Sequence, residues 1–217
     1  MHTFREVETA AYCPRKLYYR RRDGEPDVPD GVDDVRRLAF EYDELRAVDA
    51  AVLAAPIEVS PGTYRERLER LADRIDYWDA LVDPPQRDVL LTGRECRGIA
   101  HKVLEEPLLP VLSFAGDPPE EGVWEPQTVR LVAAAKALSW ERERSVERAV
   151  AEYPAHGVVR EIDLTVRRKA AYRKAVRIAE TIDGPPSRID SDAKCAPCEY
   201  REGCGTRTRS LASMLGD

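Results

Sequence analysis

The sequence predicts an α/β protein with a helical N-terminal part. Residues 88–115 contain three short segments rich in Val, Ile and Leu, separated by Gly, Glu and Pro, a pattern typical of consecutive strands. These predicted strands are Asp88–Arg94, Gly98–Leu104 and Leu108–Ala115. A long helical pattern follows at about Gln127–Tyr153, and Gly157–Val166 is predicted to be a fourth strand. Strands joined through a crossover helix indicate an α/β domain.

The N-terminal part is predicted to be helical. Residues 4–22 form an amphipathic pattern interrupted near Pro14, and an acidic Pro/Gly loop at 24–34 leads to a second helix ending at about Ala55. Thr63–Val82 has the clearest helical pattern, because its apolar residues recur every three and four positions. We expect that apolar face to pack against the core.

The chain length of 217 residues suits one domain with a core of its own. We divide it into a helical N-terminal part (1–83), a core of sheet and crossover helix (84–182) and a C-terminal segment (183–217). A further helix is predicted over 168–182, and a polar, Pro-containing link over 183–193. There is no apolar run of about 18 residues and no signal-like start, so we expect a cytoplasmic protein with no membrane partner.

Three cysteines near the C-terminus, Cys195, Cys198 and Cys204, have the spacing C-x2-C-x5-C. Crowded thiols are typical of a metal centre, and a cubane iron–sulfur cluster takes four thiolates. The fourth must come from Cys13 or Cys96, and we favour Cys13, which would join the two ends of the chain. Cys96 is then interpreted as a buried thiol.

Two other interpretations of the cysteines stay open. The same thiols could form a structural zinc site, although zinc sites more often pair two CxxC knuckles. A disulfide framework is disfavoured by the chain length, the five cysteines and the lack of a signal peptide.

Positive charge is concentrated near the cysteines. The chain has 34 basic and 40 acidic residues, but residues 1–22, 160–177 and 194–209 carry +4, +5 and +2, which leaves −17 for the rest. A basic patch on an acidic body is typical of phosphate binding, and the tyrosines of AAYCPRKLYYRRR are suited to stack on the bases of a single strand. The predicted DNA contacts are Arg15, Lys16, Arg20, Arg21, Arg22, Arg167, Arg168 and Lys169. The alternative interpretation is that these cations lie on solvated helix faces.

The segments YCPRKLYY and KCAPCEYREGC resemble the CRISPR-associated exonuclease family of RecB-like nucleases, in the PD-(D/E)XK superfamily. In that family one N-terminal and three C-terminal cysteines hold a 4Fe–4S cluster. The corresponding residues are Cys13, Cys195, Cys198 and Cys204. The resemblance covers most of the chain and implies a RecB-like core, a mixed sheet flanked by helices. It also implies DNA, or proteins of CRISPR adaptation or DNA repair, as partners.

The strand positions that carry catalysis in that family are substituted here. The family holds Mg²⁺ or Mn²⁺ with an acidic residue on one strand and Glu-x-Lys on the next, because these hard cations favour oxygen ligands. GIAHKV is similar to the first of these strands, with His101 at the aspartate position. PVLSFAG is similar to the second, with Ser113 and Ala115 at the Glu-x-Lys positions.

Two helical positions are substituted as well. RRLAFEYDEL is similar to a segment that ends in a metal-binding histidine, and Phe40 stands there. VRLVAAAKAL is similar to a segment with a Gln-Leu pair, and Arg130 stands at the position of the glutamine. The resemblance therefore implies a nuclease fold whose catalytic site is degenerate while its cluster cysteines remain.

We accordingly expect a non-catalytic iron–sulfur protein that binds DNA or a partner protein. The alternative is an active Mg²⁺- or Mn²⁺-dependent exonuclease on single-stranded DNA, whose ligands lie at other positions than this alignment gives. That alternative requires carboxylates near His101 and Ser113 in space. Lys102 is not expected to serve it, since neighbouring residues of a strand point to opposite faces. A zinc-clasped scaffold with no DNA role is the third interpretation.

Overall fold

The computed structural model of the chain describes residues 1–204 and has an α/β architecture. A mixed six-stranded sheet in these residues is flanked by helices on both faces. The strands are β1 (His2–Thr3), β2 (Gln86–Thr92), β3 (Cys96–Glu105), β4 (Leu108–Ser113), β5 (Arg148–Tyr153) and β6 (Val158–Asp163). Residues 205–217 of the predicted C-terminal segment lie outside the described residues.

The helices fall into N-terminal, crossover and C-terminal groups. They are α1 (Phe4–Tyr12), α2 (Pro14–Asp23), α3 (Val32–Arg37), α4 (Tyr42–Ala47), α5 (Asp49–Ala54), α6 (Pro61–Arg74), α7 (Trp78–Val82), α8 (Glu125–Arg142), α9 (Val166–Thr181), α10 (Asp192–Cys195) and α11 (Arg201–Cys204). Short 3-10 turns occur at Leu38–Phe40 and Pro154–His156.

Strand β3 is the longest strand and organises the sheet. Along one edge it pairs antiparallel with β2 over the whole length of β2. Its other edge is shared, because β1 pairs in parallel with Cys96 and Arg97, whereas β4 pairs antiparallel from Lys102 to Glu105. β5 is parallel to β4, and β6 is antiparallel to β5.

Each face of the sheet carries a hydrophobic core. Helices α1, α8 and α9 cover one face, with Phe4, Leu138 and Tyr172 buried there. Helices α4, α6 and α7 cover the other, with Tyr64 and Leu68 buried, so the apolar face predicted for residues 63–82 does pack against the core.

Helix α1 is held directly against β3. Thr3 and Glu6 form a capping box at its start, in which each side chain accepts the other residue's backbone N–H (3.0 and 2.7 Å). A Cβ added at Gly98 would lie 2.4 Å from a ring carbon of Phe4, so only glycine permits this approach of helix to strand. The first turns of α1 therefore lie at the edge of β3.

The predicted strands are present, as β2, β3, β4 and β6, with boundaries shifted by a few residues. The predicted helix Gln127–Tyr153 is wrong at its C-terminal end, because α8 stops at Arg142 and Arg148–Tyr153 form β5. The chain leaves the helix at Glu143, whose φ of 51° lies in the left-handed region. Strand β5 lies inside the sheet and is buried on both faces, so its sequence lacks the alternation that distinguishes a strand from a helix.

The helical N-terminal part is more segmented than predicted. The helix expected to end near Ala55 is three short helices and a 3-10 turn, and Thr63–Val82 is divided into α6 and α7. Short helices leave carbonyls without intrahelical partners. The carbonyls of Ala39 and Leu81 accept hydrogen bonds from the Lys102 ammonium, at 2.6 and 2.7 Å.

Lys102 and Glu152 form an ion pair at the centre of the sheet. Nζ of Lys102 lies 2.8 Å from Oε1 of Glu152, and both side chains have 0% exposure. With the two carbonyls, Glu152 completes the three acceptors that an ammonium can use. Ser113 Oγ donates to the other carboxylate oxygen, at 2.9 Å. Burial lowers the pKa of Lys102 and raises the pKa of Glu152, and their mutual attraction opposes both shifts.

Replacing Lys102 by Met is expected to destabilise the fold by about 3–5 kcal/mol, because the carboxylate of Glu152 is left buried without its partner. The double variant Lys102→Met/Glu152→Gln is expected to regain a large part of that loss. Urea unfolding of the wild type, both single variants and the double variant measures the coupling free energy. Additive effects of the two substitutions would contradict this description of the pair.

Candidate functional site

A gap in the pairing of β3 opens a cavity at the edge of that strand. The pairing with β1 covers Cys96 and Arg97, and the pairing with β4 starts only at Lys102. Gly98, Ile99 and His101 in this gap border a cavity of about 590 Å³, which we name the strand cavity. Its walls also come from β1, α1, α3, the 3-10 turn at Leu38–Phe40, β2 and α8, so segments distant in sequence meet there.

The five substituted positions come together around this gap. Phe40, His101 and Arg130 line the strand cavity itself. Ser113 and Ala115 line an adjoining cavity of about 620 Å³, and Arg130 borders both. Positions that the alignment treats as one site are therefore neighbours in space.

His101 is fixed between the two strands where they separate. Its Nδ1 accepts the backbone N–H of Ser113 at 2.8 Å, so the neutral ring carries its proton on Nε2. Burial, together with the nearby guanidinium of Arg130, lowers the pKa of His101 to about 3. The imidazole is uncharged at neutral pH. Lys102 reaches its partners in the opposite core, as predicted from its position next to His101.

Three carboxylates near the gap have arginine or lysine partners. Glu8 lies 3.2 Å from Arg130, Asp33 lies 3.2 Å from Arg36, and Glu152 is buried against Lys102. Within residues 1–204, no three His, Cys, Asp or Glu side chains form a group that could hold a metal ion as they stand. The alternative of an active nuclease required such carboxylates near His101 and Ser113.

The two ends of the described chain are packed together. Tyr12 O–H donates to the Lys194 carbonyl at 2.9 Å, and Lys194 Nζ donates to the Tyr12 carbonyl at 3.1 Å. Glu199 contacts Lys16 and Arg20, at 2.7 and 3.2 Å. The rings of Tyr19 and Tyr200 stack with centroids 5.2 Å apart. We name this contact between α1–α2 and residues 186–204 the clasp.

The cysteines proposed as ligands all lie in the clasp. Cys13 separates α1 from α2, which confirms the predicted interruption near Pro14, and Cys195 and Cys204 end α10 and α11. Burial raises the pKa of Tyr12, and the nearby thiols of Cys198, Cys13 and Cys195 also raise it. The hydrogen bond from Arg15 to Tyr19 raises the pKa of Arg15, and the nearby thiol of Cys204 has a smaller effect in the same direction.

The donor set fits an iron–sulfur cluster in number and kind. The four clasp cysteines are half-buried free thiols, and thiolates are the ligands of both 4Fe–4S clusters and structural zinc. As the side chains stand, the described sulfurs do not form a group of metal ligands. Ligation would therefore require these side chains to rearrange. Cys96 is separate, because it is buried (2% exposed) beneath Tyr172 as predicted.

Most of the predicted DNA-contacting cations have partners inside the protein. Lys16 and Arg20 bind Glu199, and Arg15 donates to the Pro186 carbonyl at 3.0 Å. The remaining pairs are Arg21 with Glu6 and the Ala179 carbonyl, Arg22 with Asp23, Arg168 with the Asp163 carbonyl, and Lys169 with Glu147. These side chains hold α2, α9 and the clasp in place. Among the predicted residues, Arg167 is exposed on α9.

A second cavity, of about 680 Å³, lies beside the clasp and is named the clasp cavity. One carboxylate, Glu8, and five cations line it. The cations are Arg5, Lys16, Arg20, Arg130 and Lys194. Tyr12 and Trp124 line it as well, and Trp124 at the start of α8 is 51% exposed. The combination of aromatic rings and cations at one opening suits a nucleic acid strand.

The sequence pattern did not single out several residues of these cavities. Arg5 and Glu8 belong to the amphipathic pattern of α1, and Arg36 to a run of charged residues, so neither context marks a site. The pairing of Glu8 with Arg130 joins residues 122 positions apart. No local signal in the sequence could have found it.

Comparisons with known proteins add no family to this description. Neither the models of known protein families nor the curated proteins give a match to the sequence. The resemblance to RecB-like nucleases therefore rests on the motifs quoted above. Among residues 1–204, no helix has the length and apolar character needed to cross a membrane.

Acid is expected to destabilise the fold through His101. Because the pKa of the folded state (about 3) is below the ordinary value of 6.5, the unfolded chain binds a proton between these values that the folded chain does not. The free energy of unfolding should fall as pH decreases through this window, by at most about 1.4 kcal/mol per pH unit from this residue. His101→Gln keeps an acceptor for the Ser113 N–H and does not titrate. Urea unfolding from about pH 7 to about pH 4.5 should show a shallower loss in the variant, and an unchanged pH dependence would contradict the assignment.

Proposed function

We propose that this protein is a non-catalytic, single-stranded-DNA-binding relative of the RecB-like nucleases, closed by a 4Fe–4S cluster. The observation that carries the proposal is the clasp, in which α1 and α2, separated by Cys13, pack against the C-terminal segment that contains Cys195, Cys198 and Cys204. A site built from both ends of the chain is what the resemblance implies. In that context the partners are DNA, or proteins of CRISPR adaptation or DNA repair.

The sheet supports the RecB-like part of the proposal. Its β2–β4 meander is followed by the crossover helix α8 and a parallel strand, β5. The positions that carry catalysis in the family, His101 and Ser113 among them, meet where β3 and β4 separate. This is the arrangement that a nuclease site of that type requires.

The side chains at that point support a loss of catalysis. Phe40, His101, Ser113 and Ala115 offer no carboxylate, and Arg130 brings a positive charge to the position of a neutral glutamine. A guanidinium beside a cation site repels the divalent ion that the chemistry needs. The protein would then retain the shape of the site without its reaction.

The cluster would be held by Cys13, Cys195, Cys198 and Cys204. A bound 4Fe–4S cluster supplies a covalent cross-link between the ends of the chain. The protein's own contribution is positioning, because the Tyr12–Lys194 hydrogen bonds and the Glu199 ion pairs already align the two segments. Zinc on the same thiols is the alternative occupant.

DNA is proposed to enter the clasp cavity. Trp124 and Tyr12 would stack on bases, and the excess of cations over carboxylates in its wall would attract the phosphates. Arg167, Arg173, Lys174 and Arg177 on the exposed face of α9 add positive charge to the same protein. Affinity should fall with the salt concentration, since phosphate contacts release counterions.

Cys198→Ala is expected to lose iron and the brown colour of the cluster and to melt at a lower temperature than the wild type. The control is Cys96→Ala, which should keep its iron because that thiol lies outside the clasp. Iron, sulfide and zinc contents of anaerobically purified protein are the measurement. Unchanged iron in Cys198→Ala would contradict the ligand set. Zinc instead of iron in the wild type would show that the thiols hold a zinc ion and not a cluster.

Trp124→Ala is expected to weaken binding of an oligothymidine strand by about tenfold, because one base–aromatic stacking contact is lost. The matched control is Trp140→Ala, at the other end of the same helix, which is also exposed (59%) and lies outside the clasp cavity. Fluorescence anisotropy at several salt concentrations measures both. No binding at low salt, or an equal loss in the two variants, would contradict the proposal.

A further inference from the structure

The strand cavity is surrounded by arginine side chains from three helices. Arg5 comes from α1, Arg36 and Arg37 from α3, and Arg130 from α8. The carboxylates of its wall are Asp33 and Asp88. The residues of the wall alone sum to a charge of +2, because four arginines face two aspartates and His101 is uncharged at neutral pH. Arg5, Arg37 and Arg130 also pair with Glu25, Asp34 and Glu8, which lie outside this wall.

Two of these arginines have donors that nothing in the described chain satisfies. Arg130 is 9% exposed, and its Nη1 contacts Glu8, but its Nε is shielded from solvent and has no hydrogen-bond partner in residues 1–204. Arg36 likewise uses Nη1 for Asp33 and leaves its shielded Nε unpaired. Burial lowers the pKa of Arg130, which reflects the cost of a cation with too few counter-charges. Buried donors without acceptors are rare in folded proteins, so neither guanidinium group is fully satisfied by its single carboxylate partner.

The shape and lining of the cavity narrow the chemistry of that ligand. Its volume of about 590 Å³ lies within the range of small-molecule sites. Guanidinium groups that approach from α1, α3 and α8 suit a tetrahedral anion with several exposed oxygens better than a planar carboxylate. The rings of Phe4 and Phe40 line the same space and provide an apolar surface for an attached organic group.

We propose that the strand cavity is an anion site that binds a phosphate monoester, carried by a free mononucleotide or by the end of a DNA strand. The phosphate contacts Arg36, Arg130 and Arg5, and the nucleoside lies against Phe40. The inference goes beyond the proposed function, in which the clasp cavity binds bases and internal phosphates. It does not depend on that function, because Arg36 lines the strand cavity and is absent from the clasp cavity.

The test compares ligands that differ in the phosphate. Thymidine 5′-monophosphate, thymidine and inorganic phosphate are titrated into the full chain by calorimetry, together with oligothymidines that carry a 5′-phosphate, a 3′-phosphate or none. The monophosphate is expected to bind about tenfold or more tightly than thymidine, since charge-assisted hydrogen bonds to the phosphate are absent in the nucleoside. Tighter binding of a terminally phosphorylated strand than of the unphosphorylated one identifies a strand end as the source, whereas preference for the mononucleotide alone identifies a free nucleotide.

The variant that tests the site is Arg36→Gln, because Arg36 lines the strand cavity and not the clasp cavity. The Arg36 side chain is partly exposed and has one ion-pair partner, so the fold should tolerate the substitution. The matched control is Arg70→Gln, in a separate arginine-lined hollow on α6. Arg36→Gln is expected to weaken monophosphate binding by about tenfold, and Arg70→Gln to leave it unchanged.

Equal affinity for thymidine and its monophosphate, or no binding of either, would overturn the site. So would an equal loss in Arg36→Gln and Arg70→Gln, which would show a general charge effect. Strand binding that requires Trp124 but ignores terminal phosphates would leave the proposed function intact and remove this inference. Monophosphate binding that requires Arg36, in a protein that does not bind DNA strands, would support this inference and contradict the proposed function.

Discussion

The buried ion pair of Lys102 and Glu152 is the constraint on which the rest of the fold depends. Lys102 is on the central strand, and its ammonium also donates to the carbonyls of Ala39 and Leu81. The 3-10 turn at Leu38–Phe40 and helix α7 must therefore leave these two carbonyls free, because the charge of Lys102 would otherwise be buried without enough acceptors. The cost of that alternative explains why this region is a series of short helices rather than two long ones.

The same pair reaches the candidate site through one residue. Glu152 accepts the hydroxyl of Ser113, and the backbone N–H of Ser113 is accepted by His101. A continuous set of hydrogen bonds thus runs from the α6–α7 core, through the sheet, to the floor of the strand cavity. On the resemblance to RecB-like nucleases, this point would hold a divalent cation. Here it faces arginines, so under the proposed relationship the arrangement of the site would be kept while its electrostatics differ.

How much the sequence predicted depended on whether the signal was local. The β2–β4 meander was found because its strands alternate with turn residues, and the break at Cys13 because Pro14 follows it. Strand β5 was missed, because burial on both faces removes the alternation. The segmentation around Ala39 depends on a partner 63 residues away.

The same difference between local and tertiary signals applies to the residues of the candidate site. The five substituted positions were found through motif resemblance, and they lie together. Arg5, Arg36 and Glu8 were not found, since only tertiary contacts distinguish them from other charged residues of amphipathic helices. Counting charges also gave a basic patch around α2, but it could not show that Lys16 and Arg20 are already paired with Glu199.

The proposed function is that of a protein with a nuclease-like fold that binds single-stranded DNA without cleaving it. The most direct measurement is a nuclease assay on anaerobically purified protein, with labelled single-stranded DNA, Mn²⁺ or Mg²⁺, a salt series and a chelator control. The account predicts that the strand stays intact and is retained in a salt-sensitive complex. Metal-dependent digestion that co-elutes with the protein would contradict it and would establish an active exonuclease whose ligands lie elsewhere in the chain.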